Sequence, residues 1–222
     1  MDKKEALAFL ETVPTAFVTD AMRRINISCY PRGLHLLQDK VEKTMVGTAV
    51  TMGYIPKQPG KAPLAFGQFD AARSCKEGDV LVFAGCGSLN WITGGNVGEV
   101  TRLQGASGMI VDGCIRDSVE LKGYKDFPVY CTGTSTKPYA EDLQLAVYNE
   151  PVIFAGIMIS PGDVIVGDED GLVVIPKDRF DEVIYQLGDI PDIEDRLAKA
   201  VDNREPVETL SAIFKEKHPP RK

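Results

Sequence analysis

The chain has 222 residues, 44% of them hydrophobic and 26% charged, the balance of a soluble globular protein long enough to bury a sizeable core. A formal net charge of −7, with no dense Lys/Arg run beyond the pair Arg221-Lys222, argues against a nucleic-acid partner, because a phosphate backbone is repelled overall. No window approaches the roughly 20 apolar residues that span a bilayer, and the segment after Met1-Asp2-Lys3-Lys4-Glu5 lacks the apolar core of a secretory leader, so a cytoplasmic protein without a membrane partner is expected.

Taken in chain order, residues 3–12 read as a short helix with Leu7 and Leu10 inward, and Thr15 as the N-cap of a second helix reaching about Arg24. Val46 to Met52 alternates in polarity and is rich in β-branched residues, as a strand does. A Pro/Gly/Lys loop from Pro56 to Pro63 and a helix over 66–75 follow, then the apolar run Val80–Ala84, which reads as a buried strand. A glycine-rich stretch from Gly85 to Gly98 leads into a helix over about 96–104. Met109–Asp112 is another buried strand, Gly113–Asp117 a polar loop, Ser118 the start of a helix, and Pro128–Cys131 a strand. Residues 143–175 hold further β runs separated by the turns Ser160–Asp163 and Asp168–Gly171. From Lys177 on the chain reads as helical, with Pro191 splitting two segments. One α/β domain with a mixed sheet is expected.

The five cysteines form no CxxC pair and are expected to be reduced thiols. With only His35 and His218, the latter in a polar tail expected to be disordered, a histidine-based metal site or Ser-His-Asp triad is improbable, and any metal should be a hard cation held by oxygens.

The chemistry concentrates between residues 94 and 117. Gly94, Gly95 and Gly98 let backbone approach a ligand closely, and the helix beginning beside them offers unpaired amides and a positive dipole end to a carboxylate or phosphate. The strand ending at Asp112 delivers Arg116 and Asp117 to the carboxyl edge of the sheet, where α/β folds place ligands. Arg116 can hold an oxyanion with its planar fork, and Asp117 can bind a divalent cation directly or through water. The plainer alternative makes Asp117 the cap of the helix from Ser118 and Arg116 half of a surface ion pair. Asp112 is expected to order the Arg116 loop, and Trp91 to line a pocket or pack a subunit contact.

The run Val111-Asp112-Gly113-Cys114-Ile115-Arg116-Asp117 resembles the signature of the RraA-like family, which includes 4-hydroxy-4-methyl-2-oxoglutarate/4-carboxy-4-hydroxy-2-oxoadipate aldolases and regulators of ribonuclease E activity. Thr15–Ala21, Val46–Thr51, Phe127–Tyr130, Gly133–Ser135 and Ser160–Pro176 extend the resemblance over about residues 12 to 200. It implies a β/β/α swivelling-domain sandwich of the α/β class, a single domain over 1–222 with 178–222 a helical tail at subunit contacts, and assembly as a homotrimer or homohexamer. It further implies a lyase that breaks a carbon–carbon bond of a small 2-oxo acid to give pyruvate, by aldol cleavage or oxaloacetate decarboxylation, with Mg²⁺ or Mn²⁺ as cofactor. By resemblance, Asp117 binds the metal, Arg116 contacts the substrate, and Gly94, Gly95, Asn96 and Val97 supply amides for its carboxylate. The family's usual acid is missing where Gly95 stands. Glu99 is a candidate substitute, and a further acid from a neighbouring subunit is matched by Glu194, or by Asp192 or Asp195. The loss at Gly95 leaves open a same-scaffold lyase with a different substrate, and the family's second name leaves open a non-catalytic regulatory protein.

Overall fold

In the computed structural model, residues 1–221 are described, and the chain divides into two compact units. One is helical, made of Met1–Ser28 and the stretch from Asp178 onward; the other, Cys29–Lys177, carries the sheet.

In the helical unit, α1 (Lys3–Leu10) opens on a capping box in which Asp2 and Glu5 satisfy each other's amides, and it buries Ala6 and Leu10. Helix α2 (Thr15–Arg24) starts one residue earlier than expected: Pro14 holds the cap position and Thr15 is already helical. The C-terminal stretch forms three helices, α6 (Phe180–Leu187), α7 (Ile190–Asp202) and α8 (Val207–Lys215). Pro191 lies in the first turn of α7, where its missing N–H costs nothing, and Pro206 makes a second break that the sequence reading left out. Arg24, 5% exposed, ties the unit together: its guanidinium donates to the Gln186, Glu216 and Lys217 carbonyls and pairs with Asp189. His218, expected in a disordered tail, packs its ring edge-on against Phe214.

The sheet unit is built on four strands that lie side by side: β2 (Met45–Pro56), β3 (Asp79–Thr93), β4 (Gly108–Ile115) and β5 (Val129–Cys131). The three pairings among them are parallel. On one side β1 (His35–Leu36) pairs antiparallel with β5, and on the other the hairpin β10 (Val164–Asp168) and β11 (Gly171–Ile175) pairs antiparallel with β2. Two further strands attach off this path, β6 (Gly133–Thr134) to β4 and β7 (Leu143–Tyr148) to the end of β2. A separate hairpin joins β8 (Val152–Phe154) and β9 (Ile157–Ile159).

Strand alternation sorts the buried side chains onto two faces. Leu81, Phe83, Met109 and Val111 enter one core with Ala71 and Ala72 of α3 (Gln68–Ser74), Val97 of α4 (Gly95–Leu103) and Leu121 of α5 (Ser118–Gly123). Val80, Val82, Ala84 and Ile110 enter a second core with Val152 and Phe154 of β8, Ile159 of β9 and the β10–β11 hairpin. Helices on one face of a mixed sheet and the separate β8–β9 hairpin packed into the core of the other give the β/β/α arrangement that the family resemblance implied. Burial pushes the Cys75 thiol up to about 12 and the Cys131 thiol up to about 11, and all five cysteines are unbonded.

Two local boundaries differ from the sequence reading. The stretch after Ala84, read only as glycine-rich, continues β3 to Thr93. The segment read as a polar loop from Gly113 is still strand until Ile115. In both places pairing to the neighbouring strand overrides the weak strand propensity of glycine.

Candidate active site

The ends of β3 and β4 run side by side, with Trp91 opposite Cys114 and Thr93 opposite Ile115. The Arg116 amide still donates to the Thr93 carbonyl, at 3.1 Å, before the chain leaves the sheet. Asp117 then turns it with φ 57° and ψ 36°, a left-handed conformation that aspartate tolerates better than most residues. It stands at the cap position of α5, yet its side chain makes no capping bond. Its Oδ2 instead accepts the Gly95 amide at the start of α4, at 3.1 Å, and faces Arg116 Nε at 3.3 Å. Of the plainer alternative, the ion pair is therefore present and the helix cap is not.

Gly94 and Gly95 are required by close approach. A Cβ at Gly94 would lie 2.6 Å from Asp117 Oδ2 and 2.7 Å from Arg116 Cγ. A Cβ at Gly95 would lie 2.6 Å from the carboxyl carbon of Glu120. The Glu120 carboxylate thus covers the position from which any side chain at 95 would project. Tyr124 donates its hydroxyl to Glu120 Oε1 at 2.8 Å, and burial, with Glu120 beside it, raises the Tyr124 phenol so that it stays a donor.

The Arg116 guanidinium lies over the Trp91 ring, 4.2 Å from its centroid. Trp91 is held in turn: its amide donates to the Lys137 carbonyl at 2.8 Å, its indole N–H to the Thr136 carbonyl at 3.2 Å, and Tyr139 meets it edge-on. Trp91, Ile115, Arg116, Asp117, Ser118 and the Thr134–Thr136 stretch enclose a pocket of about 690 Å³. Of the two sequence readings for Trp91, the structure shows the pocket wall. Lys137, next to this wall, pairs with Asp142 at 2.7 Å, and Asn90 donates to the same carboxylate. Lys137 is the first cause, and Asn90 the second, of an Asp142 carboxyl held below its usual range.

Arg116, Asp117, Gly94 and Gly95 therefore come together as the sequence implied, with the Gly95 amide already taken by Asp117. Asn96 is exposed, and the Val97 side chain is in the core, leaving only its amide to face a ligand. Asp112 does not order the Arg116 loop: it is buried and accepts the Ala155 amide, next to β8, at 3.1 Å. Glu99 is taken up by Arg102, at 3.0 and 3.2 Å. Glu194 belongs to the helical unit, where it pairs with Lys217, which also meets Asp20 at 2.9 Å. Sequence reasoning missed Glu120. The available signal was its place three residues after Asp117, on the first turn of α5 and so on the same side of that helix.

Among the described residues no three His, Cys, Asp or Glu side chains gather as a metal cage. The oxygens at the pocket, from Asp117 and the neighbouring Glu120, are hard donors without histidine or thiolate. That set suits a hydrated Mg²⁺-type ion, which keeps several waters and takes one or two carboxylates. No helix among the described residues is long and apolar enough to cross a membrane.

Comparison with known proteins agrees with this architecture. A solved structure of an uncharacterized protein from Pseudomonas syringae pv. tomato superposes with a TM-score of 0.79 at 23% identity, covering 94% of this chain and 97% of that one. Streptomyces coelicolor RraAS2, described as an unusual member of the RNase ES inhibitor RraA protein family, superposes with a TM-score of 0.76 at 26% identity over 88% of this chain and 96% of that one. A Halalkalibacterium halodurans protein named "Putative 4-hydroxy-4-methyl-2-oxoglutarate aldolase" is 38% identical over 110 residues, 49% of this chain and 51% of its own length. The uncharacterized protein MJ0644 of Methanocaldococcus jannaschii is 31% identical over 123 residues, 55% of this chain and 53% of its own. The matches thus span about half the length of these two relatives. The profile of the RraA-like family (Aldolase/RraA) matches residues 15–174, a stretch that holds the whole Arg116 pocket, and the chain belongs to that family.

Proposed function

We propose that this chain is a carbon–carbon lyase that releases pyruvate from a small 2-oxo acid, by retro-aldol cleavage of a 4-hydroxy-4-methyl-2-oxoglutarate-type substrate or by decarboxylation of oxaloacetate. The observation that carries the reading is the Arg116 guanidinium, stacked on Trp91 and braced by Asp117, in the lining of a pocket whose Asp117 also accepts the Gly95 amide at the start of α4. The names of aldolase relatives such as the Halalkalibacterium protein support the same class.

In either reaction the bond between C3 and C4 breaks and its electron pair moves toward the 2-oxo oxygen, leaving a pyruvate enolate. The other fragment departs as a carbonyl compound or as CO₂. Arg116 holds fixed positive charge where that oxygen becomes negative, and the Trp91 shelf removes the need to orient the side chain during the reaction. The first-turn amides of Asn96 and Val97 receive the substrate's 1-carboxylate. Glu120, lying over Gly95, takes the C4 hydroxyl proton through water in the aldol case and returns a proton to C3. Glu194 has no part in this scheme. Asp117 would hold Mg²⁺ or Mn²⁺, which when bound supplies a Lewis acid for the same developing charge.

The test is pyruvate release, followed by coupled reduction to lactate, from 4-hydroxy-4-methyl-2-oxoglutarate and from oxaloacetate. Turnover should need added Mg²⁺ or Mn²⁺, vanish with EDTA, and fall at least about 100-fold in Arg116→Ala, the scale of losing one oxyanion donor. Full turnover in both Arg116→Ala and Asp117→Ala sinks the reading. The likeness to RraAS2 favours a second reading, a regulator of an RNA-degrading enzyme. It is preferred if no 2-oxo acid is turned over and the purified chain slows such an enzyme.

A further inference from the structure

A second cavity, of about 650 Å³, opens in the sheet unit between the loop after β2 and the strand β7. Its volume lies within the usual range for small-molecule sites. The loop is fastened to the β7 side by three bonds: the Lys57 amide to the Asp142 carbonyl, the Gln58 amide to Gln144 Oε1, and the Leu64 amide to the Leu145 carbonyl. The cavity therefore has a fixed wall on each side.

The lining joins the rings of Tyr54, Phe66 and Tyr139 to the aliphatic Leu143 and Leu145 and to the amides of Gln58, Gln68 and Gln144. Its charged side chains are Lys57 and Lys61, and no carboxylate is in the lining. Asp142, outside the lining, lies near enough to Lys57 to feel its charge. Ring walls favour a flat aromatic body through edge-to-face contact. Two ammonium groups, with no carboxylate among the lining residues to balance them, favour a negative charge on what binds beside them.

We propose that this cavity is a second ligand site, distinct from the Arg116 pocket, that takes an aryl carboxylate. The aromatic part sits among Tyr54, Phe66 and Tyr139, and the carboxylate faces Lys57 and Lys61. Tyr139 stands between this cavity and Trp91, its ring edge-on to Tyr54 at 5.0 Å and to Trp91 at 5.9 Å. Trp91 is the chain's one tryptophan and carries Arg116, so binding also changes its emission. The inference stands on this cavity alone and does not depend on the lyase reading.

The test uses phenylacetate and its uncharged counterpart phenylacetamide, by titration calorimetry and by Trp91 fluorescence on the whole chain. Phenylacetate is expected to bind saturably at one site and at least tenfold more tightly than the amide. The exposed double variant Lys57→Glu/Lys61→Glu should weaken it at least tenfold, and Arg116→Ala should leave the affinity unchanged. Absence of saturable binding, equal affinity for the amide, or loss of binding in Arg116→Ala overturns the proposal. The last result would assign the acid to the Arg116 pocket instead. Comparing acid with amide needs only the wild-type chain, so a double variant that fails to fold does not blunt the test.

Discussion

Replacing Gly95 by alanine isolates the carboxylate that lies over it. The added Cβ would stand 2.6 Å from the Glu120 carboxyl carbon, so the carboxylate must retreat by about 1 Å to regain ordinary contact. Two stability terms oppose each other. Alanine in place of glycine within a helix gains up to about 1 kcal/mol. Loosening the Tyr124–Glu120 hydrogen bond loses part of the ~1.5–3 kcal/mol such a charged bond is worth when buried, and this one is at the surface. The net change should therefore stay within about 1–2 kcal/mol, and the variant should fold. Activity should not follow stability: displacing a proton-transfer group by about 1 Å costs roughly 100-fold, within the ~10²–10⁴ that general acid–base help contributes. Pyruvate release at saturating metal, set beside thermal unfolding, reads both quantities. Glu120→Gln should lose turnover to a similar extent, and Gly95→Asp combined with Glu120→Ala should recover part of it. Wild-type kcat in Gly95→Ala would refute the role given to Glu120.

Gln38 is a structural lock behind the site: its amide donates to the Leu121, Tyr124 and Phe127 carbonyls and accepts the Val129 amide. Gln38→Leu strands buried partners worth about 1–3 kcal/mol each, so chemical unfolding should show a loss of at least about 3 kcal/mol, and a loss under 1 kcal/mol would count against this lock. Trp91→Ala removes the shelf under Arg116, an interaction of about 0.5–2 kcal/mol; kcat/KM should fall roughly 2- to 30-fold with little change in melting temperature, and an unchanged value would show that Arg116 orients itself without it. The carboxyls of Glu99, Asp142, Glu182 and Glu216 are lowered by Arg102, Lys137, Arg179 and Arg196 respectively. The unfolded chain therefore binds more protons in acid. Their stabilisation is complete above the ordinary values of 4.5 for Glu and 3.8 for Asp and fades as pH falls through the lowered ones. Urea melts across the acid range should show this decline, and about 1 M salt should shrink it because the pairs are exposed.

Much of this was legible from the residues alone. Buried strands announced themselves as short apolar runs, as at Val80–Phe83 and Met109–Val111, because burial on both faces of a parallel sheet removes the polar alternation. Arg116 and Asp117 were legible because a strand end delivers them to one edge. Glu120 was not, because Asp117-Ser118-Val119-Glu120 has the spacing of a helix cap. That local reading fails because Asp117 adopts a left-handed turn and spends its oxygen on Gly95, a residue 22 positions earlier. Gly95 looked like a loss for the same reason: its partner comes from another helix, and no local pattern records that. Glycines 85 and 87 gave no strand signal, since a bulge opposite a neighbouring strand and an unpaired stretch have the same composition.

That bulge has an evolutionary consequence. Between the pairs Phe83–Val111 and Ser88–Gly113, four residues of β3 face the single residue Asp112 of β4, and the slack is taken up at Cys86 and Gly87 with φ of 56° and 65°. Residues gained or lost in this slack would reshape the bulge that leads to Trp91, on the wall of the Arg116 pocket, while leaving the strand pairs from Val80 to Phe83 in place. The approach to that wall can thus be reshaped by insertion and deletion at one spot, without the repacking that substitution inside the wall would demand, and relatives should differ in length there first.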